Sequence, residues 1–129
     1  MLLVNMAKCL KCGDVLISHH RHDFVECSCG AFAVDGGVDY TRRLGTPLDY
    51  LELSLTEDSP FEEIRKYLCR GSRGVSGEEP LKWIPLCDTD DCYLNNLIQF
   101  KINEQQTQDI RYLMYLKEAV FRLECDKVS

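Results

Sequence analysis

Hydrophobic and polar positions change their period along the chain. Over the first third the runs are short and close to a period of two. Asp14-Val-Leu-Ile-Ser18 is a β-prone run, and His22-Asp-Phe-Val-Glu26 alternates as a half-buried strand does. Ala31-Phe-Ala-Val34 and Val38-Asp-Tyr40 flank Asp35-Gly36-Gly37. Asp-Gly between two such runs predicts a hairpin, because the turn needs positive φ where Gly sits. Together these runs predict a small antiparallel sheet over residues 8–44. Gly45-Thr46-Pro47 reads as a boundary, and Tyr50 to Leu55 places Leu51, Leu53 and Leu55 on one strand face with Glu52 and Ser54 on the other.

The period then lengthens. Ser59-Pro60-Phe61-Glu62 opens a helix, with Ser59 as cap, Pro60 in the first turn and Glu62 completing a capping box. It is expected to run to about Cys69 or Arg70 and to bury Phe61, Ile64, Tyr67 and Leu68. Gly71, Gly74, Gly77 and Pro80 break it. Leu81-Lys-Trp-Ile-Pro-Leu86 is extended, and Pro85 confines it to a sheet edge. A further helix is capped at Asp88 or Thr89, has Leu94, Leu97 and Ile98 on its core face, and ends near Asn103. The last helix, from about Gln105 to Cys125, carries Ile110, Leu113, Met114, Val120 and Leu123 at spacings of three and four. Two helices with a short join predict an antiparallel hairpin. The fold class is α+β, in two parts: residues 1–45, a small metal-built sheet, and residues 46–129, a strand-and-helix part ending in the hairpin.

Composition narrows this picture. With 129 residues, 45% hydrophobic and 28% charged, the chain is globular. Its net charge of −6 argues against a protein that holds nucleic acid by bulk attraction. Residues 1–47 balance five basic side chains (Lys8, Lys11, Arg21, Arg42, Arg43) against five acidic ones, so the whole excess of acid lies in residues 48–129. No apolar run reaches a membrane span, and Met1-Leu-Leu-Val-Asn-Met6 lacks the basic flank of an export signal. The expectation is a cytoplasmic protein that does not contact a membrane.

Eight cysteines fall into two sets. Cys69, Cys87, Cys92 and Cys125 are scattered and read as packing; Cys9, Cys12, Cys27 and Cys29 lie within 21 residues. In a reducing compartment, closely paired thiols point to a metal. Cys9-Leu-Lys-Cys12-Gly13 is a Cys-x-x-Cys-Gly knuckle, whose turn lets backbone amides point at the sulfurs. Cys27-Ser-Cys29-Gly30 supplies a second half after 14 intervening residues. Zinc takes four N or S ligands in a tetrahedron, and a four-sulfur set excludes magnesium and calcium, which leaves zinc as the first reading and iron in a rubredoxin-like site as the second. A closed shell of four protein ligands makes the ion structural rather than catalytic. The second pair has one spacer residue instead of two, which leaves open whether Cys27, Cys29 or a histidine among His19, His20 and His22 completes the site.

The other candidates carry less. The three histidines lack a Glu-x-x-His context and read as an exposed turn. Arg42 and Arg43 are candidate contacts for an anion or nucleic acid, set against the plain reading of a solvated strand end. Arg70-Gly-Ser-Arg-Gly-Val-Ser-Gly77 has the composition of an anion nest but lacks the Gly-Lys-Ser end of a phosphate loop. Trp83, the single tryptophan, reads as core. No catalytic triad, carboxylate pair or nucleotide fingerprint stands out, and the expectation is a protein that is not an enzyme.

The run from Lys8-Cys-Leu-Lys-Cys-Gly-Asp-Val15 through Arg21-His-Asp-Phe24 and Cys27-Ser-Cys-Gly30 to Val34-Asp-Gly-Gly-Val-Asp-Tyr-Thr-Arg-Arg43 resembles a family of small uncharacterised proteins of tailed bacteriophages and prophages with a zinc-ribbon-like N-terminus. Gly71-Ser-Arg-Gly-Val-Ser-Gly-Glu-Glu-Pro-Leu-Lys-Trp-Ile-Pro-Leu86 is similar to a second phage segment, often followed by a helical hairpin. The resemblance implies a phage-encoded protein in the bacterial cytoplasm and implies no activity. The resulting expectation is a non-enzymatic zinc-binding accessory protein acting on a host or phage protein. A nucleic-acid-binding zinc ribbon is the second reading, and a small-ligand-sequestering protein or metal-dependent enzyme the third.

Overall fold

The computed structural model describes residues 1–128, with side chains described as far as Cys125. The chain divides into two compact units, Met1–Ile64 and Arg65–Ser129. Its elements in order are β1 (Leu2–Cys9), β2 (Val15–Ser18), β3 (Val25–Glu26), β4 (Ala33–Asp35), β5 (Arg42–Leu44), β6 (Tyr50–Glu52), β7 (Leu55–Thr56), α1 (Phe61–Tyr67), β8 (Cys69–Ser72), β9 (Lys82–Pro85), a 3-10 turn (Leu86–Asp88), α2 (Asp91–Asn103) and α3 (Ile110–Val128). Strand and helix are both present and largely segregated, so the fold class is α+β.

The first unit is organised around β1, a strand the sequence pattern does not announce. Its residues from Leu3 to Ala7 are all buried, so inward and outward positions do not alternate in hydrophobicity. A strand covered on both faces loses the period-two signal. β2 pairs antiparallel along one edge of β1, with Lys8 opposite Val15 and Asn5 opposite Ser18. β6 and β7 pair antiparallel along the other edge, and the register of the β1–β7 pairing shifts between Leu2 and Val4. The expected single strand over 50–55 is thus broken at Leu53-Ser54, and Leu51 is exposed instead of sharing a core face with Leu53 and Leu55. These strands lie beyond Gly45 and complete the β1 sheet, so the first unit extends well past the boundary at residue 45.

A second sheet has the order β3-β4-β5. Here the expected hairpin is wider than the pattern suggests. β4 pairs with residues 42–44, not with Val38–Tyr40, and Asp35 faces Arg42 across the ladder. The intervening loop wraps around one side chain: the fully buried Asn5 donates through Nδ2 to the carbonyls of Asp35 (3.0 Å), Gly37 (2.9 Å) and Tyr40 (3.2 Å). Gly36 is obligatory in this loop. It sits at φ +111°, and a Cβ there would lie 1.9 Å from the Tyr40 carbonyl oxygen. A core of Ala7, Cys9, Leu16, Cys27, Phe32 and Val34 forms in this unit, and Phe32 stacks on Tyr50 at 4.6 Å between ring centroids.

α1 ends at Tyr67, earlier than expected, and Ser59 accepts a hydrogen bond from the Thr56 amide instead of serving the helix. The chain then forms β8, which pairs antiparallel with β9, so the glycine-rich segment after Ser72 is the tip of a hairpin. α2 is capped by Asp90, whose carboxylate accepts from the Tyr93 amide. α2 and α3 form the expected antiparallel hairpin: Arg122 reaches Asp91 at one end, and Lys101 pairs with Asp109 at 2.7 Å at the other.

The core face of α3 differs from the expectation. Met114, Tyr115 and Glu118 are buried, whereas Leu113, Val120 and Leu123 are 44%, 52% and 61% exposed. The reason is electrostatic. Arg65 holds the Glu118 carboxylate through two bonds of 2.7 and 2.9 Å, and Arg122 adds a third of 2.6 Å. Arg122 also donates to the carbonyls of Leu86 and Thr89, and the Arg65 guanidinium lies 4.3 Å from the Phe121 ring centroid. A buried carboxylate is tolerated when paired and hydrogen-bonded in this way, and here it turns the polar side of the helix inward. No helix among the described residues is long and apolar enough to cross a membrane.

Candidate metal centre

The two knuckles are cut from one pattern. Cys9 is the last residue of β1, and its amide donates to the Asp14 carbonyl at 2.8 Å. The chain turns at Gly13, at φ +81°, whose amide donates back to the Cys9 carbonyl at 2.9 Å. The second knuckle repeats this beyond β3. The Cys27 amide donates to the Phe32 carbonyl at 3.0 Å, and Gly30, at φ +73°, donates to the Cys27 carbonyl at 3.0 Å. Glycine after the last cysteine of each pair supplies the left-handed conformation that closes a tight turn. One residue ties the knuckles together: Asp14 Oδ2 accepts from the Ser28 amide at 2.8 Å.

All four sulfurs converge. The Sγ atoms of Cys9, Cys12, Cys27 and Cys29 lie within 4.8 Å of one another, with Cys9 to Cys29 at 3.7 Å and Cys27 to Cys29 at 3.4 Å. A tetrahedral tetrathiolate with metal–sulfur bonds of about 2.3 Å places its sulfurs about 3.8 Å apart. Disulfide sulfurs stand about 2.05 Å apart, and every cysteine of the chain is a free thiol. The single spacer residue of the second pair therefore does not turn either thiol away. The group contains no imidazole among the described residues. His19, His20 and His22 occupy a separate turn, where Asp23 accepts from the His19 amide and the Tyr40 hydroxyl lies 3.0 Å from His22 Nδ1.

The electrostatics fit a cation. The Asp14 amide directed at Cys12 lowers that thiol against the cost of burial, with help from the Cys29 amide. Burial resists ionisation of Cys27, but the Cys29 thiol, the Phe32 amide, Cys9 and the Ala31 amide outweigh it and bring Cys27 down to about 6. The Ala31 amide favours the Cys29 thiolate, yet Cys27, burial, Cys12 and Cys9 push that thiol up to about 12. One negative charge is welcome among these sulfurs and the later ones repel it. A soft divalent ion removes that conflict, because it stabilises all four thiolates at once. Four protein sulfurs also fill a tetrahedral shell, which suits a structural ion. Cys9 and Cys27 belong to the buried core and Cys12 packs against it, so the ion would be an extension of the core.

The two arginines part ways. Arg43 is committed to its own unit: Nε and Nη2 bond Glu52 at 2.8 and 2.7 Å, and Nη2 also donates to Ser54. Arg42 stays mostly exposed, 3.8 Å from Asp35. Asp14 is the site residue that pattern reading passes over. Its signal is position, since the residue after a knuckle glycine is placed to bridge to whatever stands opposite.

A family model described as a domain of unknown function (DUF7695) matches residues 1–45, a span that holds both knuckles. No curated protein and no solved structure matches the chain.

Proposed function

We propose that this chain is a phage-encoded, non-enzymatic zinc-binding accessory protein that acts by binding a host or phage protein in the bacterial cytoplasm. The observation that carries the zinc reading is the convergence of four sulfurs within 4.8 Å. Zinc is the ion that four thiolates in a closed tetrahedron select most readily in a reducing compartment. The ion acts as a staple, joining the two knuckles beside the core that Cys9 and Cys27 belong to. The phage origin rests on the resemblance of residues 8–43 and 71–86 to phage proteins.

A protein partner is favoured over nucleic acid by the charge distribution. All of the net acid lies in residues 48–129, and Arg43, the central basic candidate of the first part, is spent on Glu52. Pull-down from infected cells with tagged wild type and a Cys9→Ser control is the test. A protein recovered by the wild type alone supports the proposal; recovery of nothing above background counts against it. A gel shift that weakens steeply with salt would instead favour the nucleic-acid reading, since phosphate contacts release counterions.

A further inference from the structure

The second unit encloses a small cavity between the β8–β9 hairpin, the 3-10 turn, α2 and α3, with a volume of about 10 Å³, room for one water-sized group. Leu68, Ile84, Leu86 and Leu97 form its apolar wall. The charged lining is all of one sign: Arg70 from β8 and Arg111 from the first turn of α3, with no aspartate or glutamate. Cys69 also borders the space, but burial, aided by Cys87 and Asp88, pushes its thiol up to about 11, so it adds no negative charge at neutral pH. The other half-buried arginines each hold a carboxylate: Arg43 pairs with Glu52, Arg65 with Glu118, and Arg122 with Glu118 and Asp91. Arg111 is half-buried too, and neither it nor Arg70 has an ion pair among the described residues. Asp109, two residues before Arg111, is taken up by Lys101 at 2.7 Å and by the Arg111 amide at 2.9 Å. A third group lacks a partner. Tyr115 lines the cavity and is 3% exposed, and its hydroxyl makes no hydrogen bond among the described residues. A buried hydroxyl ordinarily finds a hydrogen-bond partner, and here it borders the same space as two guanidinium groups that have no carboxylate.

We propose that this cavity is the binding site of a small carboxylate, held by Arg70, Arg111 and the Tyr115 hydroxyl, with its short alkyl group against the leucine and isoleucine wall. The guanidinium fork matches the two oxygens of a carboxylate. A phosphate brings more oxygens than the lining can answer, because the Thr89 hydroxyl is spent on the Leu86 carbonyl at 2.7 Å. The enclosed space admits one group, so the rest of the ligand stays at the mouth. Propionate, and the C-terminal carboxylate of a peptide ending in alanine, share this chemistry. The site belongs to the second unit and does not depend on the metal reading.

Titration of the metal-loaded full-length chain with sodium propionate, at an ionic strength held constant with chloride, tests this by two-dimensional proton–nitrogen NMR. Saturable shifts centred on Arg70, Ile84, Arg111 and Tyr115 are expected, with a dissociation constant on the order of millimolar for so few ligand atoms. No saturable shift at these residues, as for a cavity that holds water only, overturns the proposal. Arg111→Gln is expected to weaken binding about tenfold and Tyr115→Phe several-fold; binding indifferent to both overturns it. Arg70→Gln, at an exposed position, repeats the charge test should Arg111→Gln fail to fold. Arg73→Gln, in the same hairpin but outside the cavity, is expected to leave binding unchanged, and a loss equal to that of Arg111→Gln overturns the site in favour of diffuse charge. Inorganic phosphate binding more tightly than propionate overturns the carboxylate assignment. A short peptide ending in alanine, compared with its C-terminal amide, separates the two sources. Binding tighter than propionate that is lost in the amide assigns the site to a chain terminus, and binding no tighter than propionate assigns it to a free acid.

Discussion

The two units hold themselves together by opposite means. Met1–Ile64 gathers four soft sulfurs whose thiolates would repel one another, and a cation bound among them would settle that repulsion. Arg65–Ser129 gathers the carboxylates of Glu118 and Asp91 around two guanidinium groups, which neutralise each other without help. The first unit also holds most of the buried apolar side chains, among them Leu3, Val4, Met6, Phe32 and Val34, and Cys9 and Cys27 sit within that core. The second has two helices of 13 and 19 residues on which side chains can interlock. Thiols gathered beside an apolar core can be joined by ligand bonds to an ion; in the second unit a buried ionic group serves instead to decide which face of a helix goes inward.

The largest expected effect separates the two. Removing the ion with a strong chelator, or Cys9→Ser, is expected to unfold the first unit while the helical signal of the second persists. Structural zinc sites of this kind contribute about 10–16 kcal/mol of apparent binding energy. Circular dichroism with proton NMR of the chelated chain checks it, and joint collapse of both units would break the comparison. Next, Glu118→Ala takes from the mostly buried Arg65 its carboxylate acceptor and from Arg122 one of several, and is expected to cost the second unit about 3 kcal/mol. Metal content should be unchanged, as elemental analysis of the purified variant would register.

Legibility followed the same division. The cysteine pairs declare themselves because chemistry fixes their spacing, and all four do converge. β1 stayed hidden because it is buried on both faces, and Asn5, a polar residue at its middle, looks like a reason against a core strand until its three carbonyl acceptors are in view. Of the expected set on α3, Met114 is buried but Leu113, Val120 and Leu123 are exposed, because hydrophobic spacing cannot foresee that Glu118 will meet Arg65, a residue 53 positions away. β8 was missed for a related reason: a glycine-rich strand has no side-chain pattern, and its pairing with Lys82–Pro85 is set by the partner strand.

Smaller effects sharpen the picture within the first unit. Asp14→Ala removes the acceptor that ties Ser28 to the first knuckle, and is expected to speed metal release several-fold with the metal still bound at equilibrium. A colorimetric chelator in stopped flow reads this. Burial raises the Glu52 carboxyl, but Arg43 and Ser54 outweigh it and hold the group below its ordinary 4.5. Because the folded value is the lower one, its contribution is present above pH 4.5 and is lost as pH falls through the folded value. The stability difference between wild type and Glu52→Gln should therefore shrink on acidification, by a fraction of a kcal/mol for a partly exposed pair, as about 0.2–1 kcal/mol is usual. Parallel denaturation curves between pH 3.5 and 6 would show it.

The central claim is most directly tested by measuring metal per chain in protein purified without added metal, alongside free thiols. The account predicts about one zinc per chain in the wild type and loss of that zinc, with the folded signal of the first unit, in Cys9→Ser. A wild type free of metal, folded, and reacting at all four thiols of Cys9, Cys12, Cys27 and Cys29 would contradict it.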